Sequence, residues 1–250
     1  MNLRQRLQQE HILYNFFLTS PSPWAAEQFS NFHFESLTLD MQHSLIENAH
    51  LLALLQAIKA AGKLPLIRLN WNRPDLIMKA LDYGIEGLIC PMIDNAKEAA
   101  AFVQAAKYPP LGNRSFGPIR AGIYGGADYF QNANSNTLTF AMIETKGAVG
   151  DLEAIAATPG LDGLYIGPFD LSVSMGFPKK ADFSDPQLLT LIDRIYKCAR
   201  NNNLFTAIFT VDPKDAKAMA AKGFDIVTCG TDGIVLRQGM NQWEEKLFGE

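Results

Sequence analysis

The 250 residues hold three cysteines, Cys90, Cys198 and Cys229, far apart and without a CxxC pair, which excludes a disulfide framework. Cys90 and Cys229 end apolar runs, so reduced, buried thiols in a cytosolic protein are the expectation. No apolar run approaches the about 20 residues that a membrane helix needs. The opening MNLRQRLQQEH lacks the apolar centre of a signal peptide. We therefore expect a cytoplasmic protein with no membrane partner. A basic excess is missing as well. The net charge is −4, which gives nucleic acid no electrostatic footing. No GxGxxG follows the first apolar run and no Walker A motif occurs, which weakens any nucleotide-binding reading. No stretch rich in Pro, Gly or Ser divides the chain, so one domain over residues 1–250 is expected.

Hydrophobic residues make up 48% and charged residues 19%, enough for a substantial core. Short apolar, β-branched or aromatic runs recur at 12–18, 36–41, 64–69, 86–92, 137–144, 162–167, 203–210 and 224–230. Between them lie stretches with helical spacing at 47–62, 75–84, 95–108, 186–203 and 212–223, the first closed by Gly62. Strands alternating with helices imply βαβ units and a parallel sheet. Eight such units match a (β/α)8 TIM barrel, for which about 250 residues is typical. A doubly wound open sheet is the alternative. The segment 109–136 reads as irregular, either a cover over the substrate or a subunit contact. The tail from residue 237 onward reads as a final helix, with Trp243 and Leu247 packing on the body or on a neighbour.

In such a barrel the chemistry collects where the strands end. Run two ends in Asp40, Gln42 and His43; run three carries Arg68; run five ends in Glu144; Asp170 follows run six. Each has a plainer reading. Asp170 alone fits a helix cap, and His43 alone fits a turn, as His11, His33 and His50 fit structural or surface roles. Glu144 and Arg68, inside apolar runs, need partners or a ligand. Two carboxylates without added His or Cys suit a hard divalent ion such as Mg²⁺ or Mn²⁺ better than a closed zinc site. A guanidinium stabilises a developing oxyanion, and an imidazole beside a carboxylate is a general base.

LTLDMQH, LIRLNWNRPD, LDYGIEGLICPM, YPPLGNRSFGP, MIET and IGPFDLS occur in the order and spacing of the HpcH/HpaI class II aldolases, which this chain resembles from about residue 36 onward. The resemblance implies a phosphoenolpyruvate/pyruvate-type barrel that cleaves a 4-hydroxy-2-oxo acid, such as 4-hydroxy-2-oxoheptanedioate or a 2-keto-3-deoxy sugar acid, into pyruvate and an aldehyde. It implies Glu144 and Asp170 as ligands of a divalent metal (Mg²⁺ or Mn²⁺, with Co²⁺ a further candidate). It further implies His43 as base supported by Asp40 and Asp82, Arg68 on the enolate oxygen, and the backbone around Phe169 and Asp170 on the pyruvate carboxylate. A homo-oligomer, a hexamer built from dimers, is also implied. Two departures stand out. Gln42 replaces a frequent glutamate. Met142 replaces a glutamine that binds substrate in several members, and it cannot supply the amide's hydrogen bonds.

Three other functions compete. A Schiff-base lysine would have to be Lys146, which sits in TKGAVG, an open loop rather than an apolar pocket. A CoA-ester lyase of the malyl- or citramalyl-CoA type would need a basic groove, and only Lys179 and Lys180 cluster near the strand ends. A non-catalytic barrel module has no need to hold charges in its mouth.

Overall fold

The structure is a computed structural model describing residues 1–9 and 12–249; residues 10, 11 and 250 lie outside it, His11 among them. Eight strands, β1 (Leu13–Leu18), β2 (Ser36–Asp40), β3 (Leu64–Arg68), β4 (Gly87–Cys90), β5 (Leu138–Ile143), β6 (Gly163–Ile166), β7 (Phe205–Thr210) and β8 (Ile226–Thr231), pair in parallel in chain order. β8 returns to β1, with Leu13 opposite Ile226, so the sheet is a closed barrel and the open doubly wound alternative is excluded.

Thirteen helices surround the strands among the described residues: α1 (Leu3–Leu7), α2 (Pro23–Ser30), α3 (Leu51–Ala60), α4 (Pro74–Asp82), α5 (Ala96–Ala106), α6 (Ala121–Gly125), α7 (Tyr129–Asn136), α8 (Lys146–Gly150), α9 (Leu152–Ala156), α10 (Pro168–Met175), α11 (Pro186–Asn201), α12 (Pro213–Lys222) and α13 (Asp232–Phe248). Their starts are written in the sequence. Proline opens α2, α4, α10, α11 and α12, where its fixed φ suits the first turn and its missing N–H is not needed. Asn95, Asp185, Asp212 and Thr231 cap α5, α11, α12 and α13 with side-chain oxygens.

The core has two layers. Between barrel and helices lie Leu39, Leu55, Ile77, Phe102 and Ile192. Inside the barrel lie Phe17, Phe140, Met142 and Tyr165, with Leu3 and Leu7 of α1 closing its N-terminal end. Gly87 makes room for that plug, since a Cβ there would stand 2.7 Å from a Leu3 methyl. A buried polar knot threads the interior. The Asn15 amide donates to Thr228 Oγ1 and accepts from Ser36 and Thr38, and the Tyr165 hydroxyl meets Thr228 Oγ1 at 2.6 Å. Partnered in this way, these groups escape the cost of burial.

Two expectations change. The irregular segment 109–136 contains α6 and α7. Each buries a single alanine, Ala121 and Ala133, so no apolar periodicity announced them. The final helix starts earlier than expected, at Asp232, and its Trp243 and Leu247 are about two-thirds exposed, at 65% and 66%. They do not pack on the barrel body: of α13 only Asp232, its first residue, is buried. No helix among the described residues is long and apolar enough to cross a membrane.

Candidate active site

Register brings the strand ends together. Asp40 pairs opposite Arg68 across β2 and β3, and Ile143 pairs opposite Ile166 across β5 and β6, so Glu144 and Gly167 follow side by side at the mouth. Arg68 donates Nε to Asp40 Oδ1 at 2.8 Å and Nη2 to Asp40 Oδ2 at 2.6 Å, a bidentate clamp, and its guanidinium lies over the Phe17 ring at 5.3 Å. Burial works against the Arg68 charge, but the Asp40 hydrogen bonds and charge outweigh it and the pKa stays above the ordinary value. A guanidinium carries five N–H groups. The clamp takes two and leaves the Nη1 edge open to a ligand.

Asp40 also accepts the backbone N–H groups of Gln42 at 3.1 Å and His43 at 3.3 Å. The support that Asp40 gives His43 is therefore to the main chain, while its carboxylate is committed to Arg68. The His43 side chain is exposed, with no hydrogen bond or ion pair among the described residues. It borders a groove of about 780 Å³ walled by Trp24, Phe29 and Leu236. Asp82 is not brought to this mouth within the chain. It ends α4, which runs back along the barrel, so it lies beside the start of β4 at the opposite end. There it accepts from Arg114 at 2.8 Å.

Glu144 is the most perturbed carboxylate at the mouth. It is 1% exposed; Oε1 accepts the Met92 backbone N–H at 2.8 Å, and Oε2 is buried without a hydrogen-bond partner. Burial, helped by the charge of nearby Asp170 and opposed by the Met92 N–H and Arg68, lifts its pKa to about 7. Gly167 permits the close approach: a Cβ there would stand 2.6 Å from Glu144 Oε2 and 2.6 Å from Met142 Cε. Asp170, in the first turn of α10, is exposed with no partner for its carboxylate among the described residues. Phe169, next to it, stands edge-on to Phe209, which in turn stands edge-on to Phe17. Met142 is buried against Gly167 and Glu144.

The donor chemistry fits a hard divalent cation. It consists of two carboxylates, one with a buried free oxygen, and no thiolate or imidazole beside them. Among the described residues no group of three or more His, Cys, Asp or Glu gathers. Lys146 starts α8 and is exposed, whereas a Schiff-base lysine works from an apolar pocket. Lys179 is exposed and pairs with Asp182 at 3.3 Å.

A profile of the family described as HpcH/HpaI aldolase/citrate lyase matches residues 13–239. The chain belongs to this family. It thereby stands among carbon–carbon lyases. A hydroxypyruvate/pyruvate aldolase of Rhizorhabdus wittichii is 33% identical over 226 residues, covering 90% of each chain. A 2-dehydro-3,6-dideoxy-6-sulfogluconate aldolase of Pseudomonas putida is 40% identical over 184 residues, covering 73% of this chain and 72% of its own. The crystal structure of an HpcH/HpaI aldolase/citrate lyase family protein from Burkholderia cenocepacia superposes with a TM-score of 0.90 at 30% identity, covering 98% of both chains. As an HpcH/HpaI chain, this protein has acidic residues at 40, 144 and 170 and an arginine at 68 at its strand ends. Beside them stand the apolar Met142 and the uncharged Gln42. Gln42 Oε1 is itself a buried oxygen without a partner. Two further contributors carry no sequence signal: Met92, which acts through a backbone amide, and Phe17, which looks like any other strand aromatic.

Proposed function

We propose that this protein is a class II pyruvate aldolase that reversibly cleaves a 4-hydroxy-2-oxo acid to pyruvate and an aldehyde, with a divalent cation held by Glu144 and Asp170. One observation carries the reading: a buried carboxylate with a free oxygen, Glu144 Oε2, beside a second free carboxylate and facing a clamped guanidinium. A cation there, Mg²⁺ or Mn²⁺ by the chemistry of the donors, supplies Lewis-acid polarisation of the 2-keto group.

The other roles belong to the chain. Arg68 offers its open N–H edge to the C2 oxygen, whose negative charge grows as the C3–C4 bond breaks. The Asp40 clamp and the Phe17 face fix that edge in advance, so little reorganisation is needed during reaction. The first turn of α10, around Phe169 and Asp170, offers main-chain N–H groups to the substrate carboxylate. His43, free of other partners, takes the 4-hydroxyl proton through a bridging water and returns it in the synthetic direction. The bonding electrons of C3–C4 end in the pyruvate enolate, which is protonated at C3. Relatives named as aldolases for pyruvate and for a deoxy sugar acid support the same donor half. Asp82 can act on a His43 only from another subunit.

A homo-oligomer accords with the surface. α13 exposes Leu236, Met240, Trp243 and Leu247 along one flank, and the barrel leaves a groove beside β1 and α12 lined by Phe16, Phe34 and Ala216. Light scattering of the purified protein gives a multiple of the 27.6 kDa chain mass if this reading holds. The function is tested by incubating pyruvate and Mn²⁺ with a panel of aldehydes and reading product mass. Adducts of pyruvate plus aldehyde that vanish with EDTA are expected; adducts that persist in EDTA contradict the cation's role.

A further inference from the structure

Of the non-glycine residues with positive φ among those described, Met92 (φ 55°), Ala181 (φ 50°) and Asn203 (φ 57°), only Met92 stands at a strand end on the mouth side of the barrel. Asn203 follows the end of α11, and Ala181 lies in the half-buried connection between α10 and α11. A side chain with a Cβ is costly in this left-handed region, and such outliers persist where the surroundings hold them. Met92 follows the end of β4 by two residues, with Pro91 between, and β4 pairs with β5, the strand that delivers Glu144. The unusual backbone turns the Met92 N–H back across that pair onto Glu144 Oε1 at 2.8 Å. The other oxygen, Oε2, faces the bare Cα of Gly167 and has no donor.

We infer that Met92 is a positioning residue: its left-handed backbone commits Glu144 Oε1 to an amide and so leaves Oε2 as the one oxygen with which Glu144 binds the cation. The inference rests on the assignment of Glu144 as a cation ligand. Without the amide, the buried carboxylate is free to rotate about its terminal bond, and neither oxygen is held in place. Partners that orient a metal ligand in this way change metal affinity by about 10–100-fold when removed. The Met92 side chain has no part in this role. Glycine at 92 keeps both the N–H and the φ, since glycine adopts positive φ without penalty.

The test is Mn²⁺ binding to the full chain, titrated by electron paramagnetic resonance without substrate. Three variants are compared: Met92→Gly, Glu144→Gln, and a chain with the α-hydroxy analogue of methionine at 92, which replaces only the N–H by an ester oxygen. The ester chain is expected to bind Mn²⁺ about tenfold more weakly or worse, with a circular dichroism spectrum and melting transition close to the parent. Met92→Gly is expected within about twofold of the parent, since it retains the N–H. An ester chain that binds like the parent overturns the inference, and so does a Met92→Gly chain as weak as the ester. Glu144→Gln separates the two levels of argument. If it binds Mn²⁺ like the parent, the ligand assignment fails and this inference with it. If it loses binding while the ester keeps it, only the role of Met92 fails.

Discussion

The two ends of the barrel differ in how their acids are matched. At the N-terminal end the acids Asp162, Asp225 and Glu86 are matched, although the buried Arg114 Nε and Arg120 Nη2 there lack a hydrogen-bond partner among the described residues. Asp162 accepts from Arg4, from Lys107 at 3.0 Å and from the Thr139 N–H at 2.9 Å. Asp225 accepts from the Thr206 N–H at 2.7 Å and from Arg200 at 3.1 Å, and Glu86 binds Lys59 and the Leu3 N–H. Burial pushes the Lys107 pKa down, and Asp162 works against that drop. At the C-terminal end, Glu144 keeps a bare oxygen, the Asp170 carboxylate has no partner, and Arg68 keeps an unused edge. The paired acids of the first end hold the fold together; the mouth keeps unmatched carboxylates, at a cost in stability, which the proposed cation and substrate would complete.

Substitutions at the two ends should therefore separate cleanly. The largest expected effect on catalysis is at Arg68. Arg68→Lys keeps the charge but loses the fork that grips Asp40 and the open N–H edge, and should lower kcat by about 10²–10³-fold in steady-state assays. Arg68→Ala is a poorer probe, because it strands Asp40 without a partner for a carboxylate whose side chain is 2% exposed, at a cost of about 3–5 kcal/mol. His43→Ala should slow cleavage by about 10²-fold or more while leaving the melting transition in place, since the imidazole is exposed and unbonded. A matching fall in pyruvate affinity would make His43 a binding residue instead.

At the other end the pattern inverts. Asp162→Ala leaves Lys107 buried and unpaired, so about 3–5 kcal/mol of stability is expected to go, read by denaturant unfolding, with kcat per folded molecule unchanged. A comparable loss of kcat there would erase the distinction between the ends.

The smallest effect is on pH dependence. The folded pKa of Glu144, about 7, lies above its ordinary 4.5. The folded state therefore binds the proton more tightly than the unfolded one between these values. The stabilisation is full below about pH 4.5 and is lost as pH rises toward 7. In EDTA, unfolding free energy measured across this window should fall with rising pH, and Glu144→Gln should flatten that slope. A parent slope unchanged by the substitution would place the titration elsewhere.

Much of this contrast was legible in the sequence. The eight strands announced themselves as short apolar, β-branched or aromatic runs, even where Ser36 and Thr38 alternate with Leu37 and Leu39 in β2, and prolines and capping residues marked the helix starts. Glu144, Arg68 and Asp170 stood out as charges at the ends of apolar runs. What escaped has physical reasons. α2, α6 and α7 bury too few apolar side chains to leave a period. The partnership of Asp40 with Arg68 rather than with the His43 ring depends on register between β2 and β3. The placement of Asp82 depends on α4 running back along the barrel. Met92 acts through its backbone, and a positive φ in a residue with a Cβ leaves no trace in composition.

The proposed mouth should make an enolate from pyruvate. Exchange of the pyruvate methyl protons with D2O, followed by proton NMR with Mg²⁺, tests it without knowledge of the aldehyde. The expected result is exchange that requires the protein, stops with EDTA, and is lost in both Glu144→Gln and Arg68→Lys. Exchange at the parent rate in EDTA, or in either variant, would contradict it.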